Sequence, residues 1–162
     1  MGDVSGIAPD FFARDKLRMG WLNDEAVDCV SERGTTEHTL TPLELKTSEK
    51  DIKVVVIAVN QTSALVAEAR IPEGIDSGVC APGVLLYTVD TSVKAGYGPL
   101  SVLDATPGPS GCGTGSAYYK NDGTLSLVPA GVSSYQVPGW GVKVTVVKQT
   151  EKSYTIQVKA EI

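Results

Sequence analysis

Residues 52–59 read IKVVVIAV, and this stretch decides the fold class of the 162-residue chain. Its nearly unbroken β-branched side chains favour extended backbone and predict a strand buried on both faces. Residues 64–71 predict a second strand, because apolar and charged side chains alternate there. Glu68 and Arg70 share one face, and the opposite face carries Leu65, Ala67, Ala69 and Ile71.

Strand signals continue to the end of the chain, separated by Gly, Pro, Asn and Asp clusters of the kind that form turns. Two turn signals predict hairpins, at residues 120–123 and 150–153. Strands at this spacing are typical of an antiparallel β-sandwich or barrel. The remaining strands are predicted at residues 84–89, 100–103, 124–128, 133–137, 142–147 and 154–158.

One short helix is predicted before these strands. Pro9 suits the first helical position, residues 10–19 continue the pattern, and Gly20 can end the helix in a left-handed conformation. The helix has an apolar side that must pack against another surface. The predicted fold class is therefore mainly β, with a short N-terminal helix followed by an antiparallel β-sandwich or barrel.

The composition excludes several classes of function. The chain has 14 Lys and Arg against 19 Asp and Glu, a net charge of −5, so we expect nucleic acid and anionic lipid to be repelled. No apolar run approaches the roughly 20 residues that span a bilayer, so no membrane partner is expected. Hydrophobic residues make up 42% of the chain, which is typical of a folded domain rather than a disordered one.

The single histidine restricts metal chemistry. His38 has no second imidazole with which to form an H-E-x-x-H zinc helix. A zinc site made of His38 with Cys29, Cys80 and Cys112 lacks the short cysteine spacing typical of such sites. We therefore predict that His38 is a polar strand residue.

The cysteines and one asparagine suggest extracellular chemistry. Cys80 and Cys112 both lie in Gly-rich turns near strand ends, and we predict a disulfide between them, worth roughly 3–4 kcal/mol in the chain-entropy model. Cys29 is then either free or paired with sequence outside this chain. Asn60 begins an Asn-Gln-Thr triplet, which is an acceptor pattern for N-glycosylation.

The Glu68 and Arg70 pair has two interpretations. The two side chains could act as a catalytic carboxylate and its clamp. Opposite charges at i and i+2 of a strand are more often a surface or cross-strand ion pair, and we favour that interpretation.

Other polar clusters carry weaker signals. The acidic residues near loops could bind calcium, yet they lack the dense D-x-D spacing of a preformed site. The loop at residues 111–115 is glycine-rich but lacks the Lys-Ser/Thr and the following helix of a phosphate loop. No G-x-S-x-G elbow is present, which argues against a serine hydrolase. The loop carboxylates are Asp76, Asp90, Asp104 and Asp122.

The N-terminal segment resembles a known family. Residues 16–22 read KLRMGWL, form the end of a predicted helix that begins at Pro9, and are preceded by Met1-Gly2. This segment is similar to the one after the catalytic helix in secreted zinc metalloproteases of the immune inhibitor A and gametolysin type, which are metzincins. Downstream segments agree in order, and the resemblance covers residues 1–104. They lie at residues 39–43, 68–70, 74–76 and 83–90.

The resemblance implies a division of the chain and a parent enzyme. Residues 1–33 would be the tail of a metalloprotease catalytic domain, with Met1 as the methionine of the turn beneath the zinc, and residues 34–162 an antiparallel β domain. The family's zinc ligands and general base lie upstream of this point, so no catalytic or metal residue is assigned to this chain. Zinc would belong to the parent, whose partners are the upstream catalytic domain and a protein or peptide substrate.

Two functions therefore remain open. The favoured one is the C-terminal fragment of a secreted zinc metalloendopeptidase, inactive alone and without a signal peptide of its own; an exposed apolar helix face around Phe12 and Trp21 would favour it. The alternative is a non-enzymatic extracellular β-sandwich that binds carbohydrate or another surface. An exposed aromatic platform would favour this module. Its candidate aromatic residues are Trp140, Tyr135, Tyr118 and Tyr119.

Overall fold

The computed structural model describes residues 10–46, 48, 51–78, 81–105, 123–127 and 131–162. It confirms a mainly β chain with one short helix near the N-terminus. Helix α1 spans Ala13–Arg18, and 3-10 helices lie at Asp24–Ala26 and Gly74–Asp76. The strands of the described residues are β1 Val27–Val30, β2 Gly34–Leu40, β3 Val54–Ala58, β4 Ser63–Arg70, β5 Gly83–Asp90, β6 Leu100–Leu103, β7 Ser134–Val137, β8 Val142–Gln149 and β9 Tyr154–Ala160.

The strands form two sheets. The five-stranded sheet has the order β1-β3-β4-β5-β6, and the four-stranded sheet has the order β2-β9-β8-β7. All neighbours are antiparallel except β1 and β3, which run parallel. The sequence analysis gave no bounds for β1 and, apart from placing His38 in a strand, none for β2, because β1 is short and β2 is rich in threonine and mostly exposed.

One hydrophobic core fills the space between the two sheets. The inward side chains of β3, β4 and β5 meet those of β2, β8 and β9, so the fold is a sandwich, and no closed barrel is found among the described residues. The run at residues 52–59 is buried on both faces as predicted, because Val55 and Ile57 enter this core while Val54 lies in a second cluster under α1.

The second cluster covers the outer face of the five-stranded sheet. Phe12 and Ala13 pack there against Val66, Tyr87 and Val89. The alternation along β4 places its apolar residues in the main core, as predicted, and turns Glu68 and Arg70 toward α1. The five-stranded sheet is therefore the middle layer of the molecule, between the four-stranded sheet and the N-terminal segment.

Two local predictions differ from the structure. The helix predicted at residues 10–19 begins only at Ala13, since Phe12 is extended with φ −57° and ψ 145°. The strand predicted at residues 124–128 is reduced to bridges of Leu125 with Val84 and Val132. The predicted turn at residues 120–123 lies largely outside the described residues.

The hairpin predicted at residues 150–153 is confirmed. Thr150 N donates to Ser153 O at 2.9 Å, and the flanking strands β8 and β9 pair in antiparallel register. A bulge between Val146 and Lys148 shifts the register close to this turn. Such bulges increase the local twist and bend the strand.

Gly83 is required by a close approach of two backbones. A Cβ at this position would lie 2.6 Å from the Leu125 carbonyl oxygen and 2.7 Å from Thr124 Oγ1. We therefore expect Gly83→Ala to displace the Leu125 bridge and to lower the free energy of unfolding by about 1–3 kcal/mol. Urea denaturation followed by circular dichroism measures the change.

Gly20→Ala is the matched control for that prediction. Gly20 has φ +71°, and a Cβ there would contact nothing within 4 Å. Gly20→Ala should therefore lower the free energy of unfolding only through the strain of alanine in a left-handed conformation, by about 1–2 kcal/mol. An unchanged urea midpoint for Gly83→Ala would contradict the close approach of the backbones at Gly83 and Leu125.

Candidate functional site

A buried ionic cluster lies where the N-terminal segment meets the five-stranded sheet, and we call it the arginine cluster. Arg70 and Glu68 come from β4, Tyr87 from β5, Asp76 from the 3-10 helix after β4, and Glu44 from the segment after β2. Positions i and i+2 of a strand share a face, so β4 turns both of its charged side chains away from the sandwich core.

Arg70 forms the centre of the cluster. Its Nε and Nη2 donate to Glu68 Oε1 at 2.8 and 2.6 Å, and its Nη1 donates to Asp76 Oδ2 at 2.6 Å. The ion pair that we favoured for Glu68 and Arg70 is present, but it is buried and not at the surface, because Glu68 is 0% exposed and Arg70 is 5% exposed. The N-terminal segment covers this face, and the local alternation within β4 gives no information about that contact.

The arginine cluster binds the backbone of the N-terminal segment. Arg70 donates to the carbonyl oxygens of Asp10 and Phe11, at 3.3 and 2.9 Å. Glu68 Oε2 accepts the Ala13 N–H at 2.8 Å, and Asp76 Oδ1 accepts the Asp10 N–H at 2.6 Å. These bonds hold the main chain extended before α1, which explains why the helix begins later than predicted.

The charges of the cluster stabilise one another. Burial by itself lowers the pKa of Arg70, but the charge of Glu68 and the hydrogen bond with Asp76 outweigh it, and the pKa lies above its ordinary value. Burial alone would raise the pKa of Asp76. The adjacent Glu44 carboxyl, the Asp10 N–H and Arg70 more than offset this effect and lower the pKa. Both groups are therefore ionised at neutral pH.

Glu44 is the exception within the cluster. Its side chain is 1% exposed, its Oε1 lies 3.8 Å from Arg70 Nη1, and neither carboxyl oxygen has a hydrogen-bond partner of ordinary geometry in the described structure. Burial, followed by the adjacent Asp76 carboxyl, raises the pKa of Glu44 to about 8. Glu44 is therefore mostly protonated at pH 7.

Tyr87 links the ionic and apolar parts of this site. Its hydroxyl donates to Glu68 Oε2 at 2.9 Å and accepts the Arg14 N–H at 3.3 Å, while its ring lies 4.8 Å from that of Phe12. Burial, followed by the neighbouring charge of Glu68, raises the pKa of Tyr87. The hydroxyl thus remains protonated, and a hydrogen-bond donor, at neutral pH.

Removing this hydroxyl isolates its contribution. We expect Tyr87→Phe to lower the free energy of unfolding by about 1–3 kcal/mol, because Glu68 loses a buried donor and the Arg14 N–H loses its acceptor. Urea denaturation at pH 7 checks this value. Tyr97→Phe is the control, since Tyr97 is 82% exposed. Equal effects of the two substitutions would contradict the assignment of these hydrogen bonds to Tyr87.

The opposite side of the N-terminal segment carries an exposed apolar patch, formed by Phe11, Met19 and Trp21. Their exposed fractions are 56%, 41% and 63%, and the rings of Phe11 and Trp21 meet edge to face with centroids 5.7 Å apart. Exposure was expected around Phe12 and Trp21. It is found at Trp21, whereas Phe12 is half-buried against Tyr87.

His38 lies on β2, and the prediction of a polar strand residue is confirmed. Its Nδ1 lies 2.8 Å from Asp28 Oδ2 and its Nε2 lies 2.8 Å from Thr36 Oγ1. Asp28 belongs to β1, so this contact joins the edge strands of the two sheets. Cys29, next to Asp28, is exposed and forms no disulfide within the described residues.

Asn60 occupies the turn between β3 and β4. Its Oδ1 accepts hydrogen bonds from Thr62 N at 2.9 Å, Ser63 N at 2.8 Å and Thr62 Oγ1 at 3.2 Å. The side chain is exposed, and its glycosylation stays a prediction.

The remaining predicted sites are dispersed or fall outside the described residues. Trp140 and Tyr135 are partly buried against the main core. Asp90 caps its own turn, where hydrogen bonds from Ser92 lower its pKa. No group of three or more potential metal ligands occurs among the described residues. The predictions at Met1, Cys80, Cys112, Asp122, Tyr118, Tyr119 and residues 111–115 lie outside them.

A groove opens at the end of the sandwich beside the β8–β9 hairpin. Its volume is about 760 Å³, and its floor is mostly apolar. Among the residues that the structure describes, Glu73 and Glu151 are the charged side chains of its lining. The other lining residues are Ile71, Pro72, Pro82, Leu127, Gln149, Thr150 and Tyr154.

Comparison with known proteins adds no relative. No protein-family model, curated protein sequence or solved structure matches this chain. Within the described part of the chain, no helix is long and apolar enough to cross a membrane.

Proposed function

We propose that this chain is the C-terminal portion of a secreted zinc metalloendopeptidase, in which the β-sandwich braces the catalytic domain that precedes it. The zinc-binding helix belongs to that domain, so the chain alone does not cleave protein. One observation carries the proposal: the arginine cluster fixes the backbone of residues 10–14, which lie within the segment that resembles the tail of a metzincin catalytic domain.

The hydrogen bonds between the arginine cluster and the N-terminal segment support the bracing role. A connection between domains is usually an exposed, flexible linker with few contacts. Here Arg70, Glu68 and Asp76 instead form buried or part-buried, charge-assisted hydrogen bonds with main-chain groups of Asp10, Phe11 and Ala13. Such a connection transmits the orientation of the sandwich to whatever precedes Asp10.

The first test is the activity of the parent polypeptide. The coding sequence upstream of Met1 is expressed together with this chain, and gelatin cleavage is measured with and without a zinc chelator. We expect an H-E-x-x-H helix in that sequence and cleavage that the chelator abolishes. Chelator-sensitive cleavage by the 162-residue chain alone, or a parent without a zinc helix, would overturn the proposal.

The bracing role has its own measurement. In the parent, Tyr87→Phe should shorten the half-life of activity at elevated temperature while the initial rate at 25 °C stays unchanged. Tyr97→Phe should change neither quantity. A half-life unaffected by Tyr87→Phe would mean that the sandwich does not stabilise the catalytic domain.

The groove at the end of the sandwich supports a second candidate, a binding module for carbohydrate. An apolar floor with carboxylate, amide and hydroxyl groups at its rim is the arrangement that sugar rings require, with the apolar ring faces below and the hydroxyls bonded at the edge. Glu73, Gln149 and Glu151 would supply the polar contacts. Of the aromatic residues that we expected to form a platform, Trp140 and Tyr135 are not among the described residues that line this groove, and Tyr118 and Tyr119 lie outside the described part of the chain.

Oligosaccharide binding to the intact chain tests this candidate. Calorimetric titration with panels of neutral and cationic oligosaccharides should give a ligand whose affinity falls at least tenfold in Glu151→Ala. Glu32→Ala, at an exposed position on a different loop, should leave the affinity unchanged. Absence of binding across the panel would remove this candidate.

A further inference from the structure

We propose that Glu44 is a pH switch for residues 10–18, which we call the switch segment. The switch segment lies on the five-stranded sheet while the Glu44 carboxyl is protonated, and it leaves the sheet when that carboxyl ionises. The sandwich itself stays folded. All parts of this switch belong to the described chain, and it is independent of the proposed function.

Two carboxyls face one cation at the centre of the arginine cluster. Glu44 Oε1 and Asp76 Oδ2 lie 3.8 and 2.6 Å from the same nitrogen, Arg70 Nη1, while Glu68 Oε1 accepts from the other two nitrogens. Arg70 therefore already faces two carboxylates, those of Glu68 and Asp76. The Glu44 side chain is 1% exposed and has no hydrogen-bond donor among the described residues. A further charge buried there would be unpaired, so this geometry favours the protonated form of Glu44.

The pKa of Glu44 agrees with this geometry and gives the direction of the response. Burial, followed by the adjacent Asp76 carboxyl, raises it from 4.5 to about 8. Because the folded pKa is raised, the attachment of the switch segment is complete below pH 4.5 and weakens as pH rises toward 8.

The other shifted groups near Glu44 do not cause the same response. Burial lowers the pKa of Lys53, so its deprotonation at rising pH favours the folded state. Burial raises the pKa of Tyr87 and of Tyr154 from 10.0, so both remain largely protonated below pH 9. The remaining charged groups that face Glu44 or its neighbours are Arg70, Glu68, Asp76, Asp10, Lys16 and Asp51.

The part of the chain that carries Glu44 is fixed on the sheet. Lys53 Nζ donates to the carbonyl oxygens of Pro42 and Leu45, on either side of Glu44, at 2.8 and 2.9 Å. Lys53 is itself only 7% exposed. These bonds prevent Glu44 from turning out into solvent, so water must reach it from the side that the switch segment covers.

The switch segment is held mainly by the arginine cluster. Among the described residues it pairs with no strand, and the six residues of α1 are too few for a stable helix alone. Arg70 binds the carbonyl oxygens of Asp10 and Phe11, and Asp76 accepts the Asp10 N–H. Ionised Glu44 competes for Arg70 and repels Asp76, so it weakens both attachments. Departure of the switch segment admits water to the cluster and lowers the cost of the added charge.

Methyl relaxation measured by NMR tests the switch. Ala13 lies on the switch segment and is fully buried, and Ala67 is fully buried in the main core. Methyl protons do not exchange with water, and alanine has no side-chain rotamers, so its methyl axis reports the motion of the backbone. Between pH 5 and pH 9, the order parameter of Ala13 should fall from about 0.85 to below about 0.6, and that of Ala67 should stay near 0.85.

Glu44→Gln identifies the group that titrates. Glutamine has the shape of the protonated carboxyl and cannot ionise, so Ala13 should stay rigid at both pH values. Glu32→Gln, at an exposed position, should release the switch segment as the wild-type protein does. If Glu44→Gln does not fold, the carboxyl ¹³C shift of Glu44 in the wild-type protein replaces it. That shift should titrate over the pH range in which Ala13 loses order.

Three results would overturn the switch. The first is a rigid Ala13 at pH 9 in the wild-type protein. The second is loss of order at Ala13 in Glu44→Gln, or at a pH where the Glu44 carboxyl does not titrate, because another group would then be responsible. The third is loss of order at Ala67 together with Ala13, because the whole domain would then unfold.

Discussion

Arg70→Met should be the most destabilising single substitution in the chain, lowering the free energy of unfolding by about 3–5 kcal/mol. Methionine keeps the apolar stem of the side chain but removes the guanidinium. In the wild-type structure, oxygens of Glu68 and Asp76 each lie 2.6 Å from an arginine nitrogen. Without the guanidinium, both carboxylates would be buried with no counter-charge. The backbone of residues 10–11 would lose two donors as well.

Urea denaturation at pH 7 measures the effect, with Arg33→Met as the matched control. Arg33 is exposed and makes one hydrogen bond, to Glu161 O at 3.4 Å, so we expect its loss to cost less than about 0.5 kcal/mol. If Arg70→Met does not fold, Glu68→Gln added to it should recover part of the stability, because one unpaired charge is removed. A stable Arg70→Met protein would show that the cluster does not anchor the N-terminal segment.

Glu44→Gln should stabilise the protein at neutral and alkaline pH. The pKa of Glu44 is raised from 4.5 to about 8 in the folded protein, so the folded state retains a proton that the unfolded chain has lost. Because the pKa is raised, the contribution of Glu44 to stability is fully present below pH 4.5 and is lost as pH rises toward 8. Glutamine does not ionise and avoids this loss.

The quantity to measure is the difference in free energy of unfolding between Glu44→Gln and the wild-type protein. At pH 4 the two proteins should have nearly equal free energies of unfolding, and at pH 8 the variant should be more stable by about 2–5 kcal/mol. Urea denaturation at intervals from pH 4 to 9 gives the curve. Glu32→Gln, at an exposed glutamate, should differ from wild type by a small and constant amount. A pH-independent difference for Glu44→Gln would mean that Glu44 is ionised in the folded protein.

The sequence predicted the β-sandwich because the hydrophobic pattern of each main strand is a local feature of the sequence. The run at residues 52–59 and the alternation at residues 64–71 each specify a strand and its buried faces without reference to distant residues. Strands β1 and β2 carry no such pattern: β1 is short and depends on its pairing with β3, and β2 lies at a polar edge. Their conformation is determined by tertiary contacts.

The arginine cluster could not be predicted, for the same reason. Glu68 and Arg70 alternate with apolar residues, which is the pattern of a strand with one face in water. This face is covered by residues 10–14, which lie more than 50 positions earlier, and by the loops that carry Glu44 and Asp76. The sequence of β4 itself does not indicate these contacts. One signal was available: the neighbouring strand β3 is apolar on both faces, so the face carrying Arg70 continues into a hydrophobic surface.

The distance along the chain between α1 and its binding surface has a consequence for synthesis. The Arg14 N–H can donate to the Tyr87 hydroxyl only after Tyr87, 73 residues later, has been synthesised. The Ala13 N–H likewise requires Glu68, 55 residues later. At about 5–20 residues per second, roughly 4–15 s separate the emergence of Arg14 from that of Tyr87 on the ribosome. The N-terminal segment is therefore exposed throughout that interval, and a nascent chain stalled before β5 should bind a chaperone that a chain stalled after the C-terminus does not.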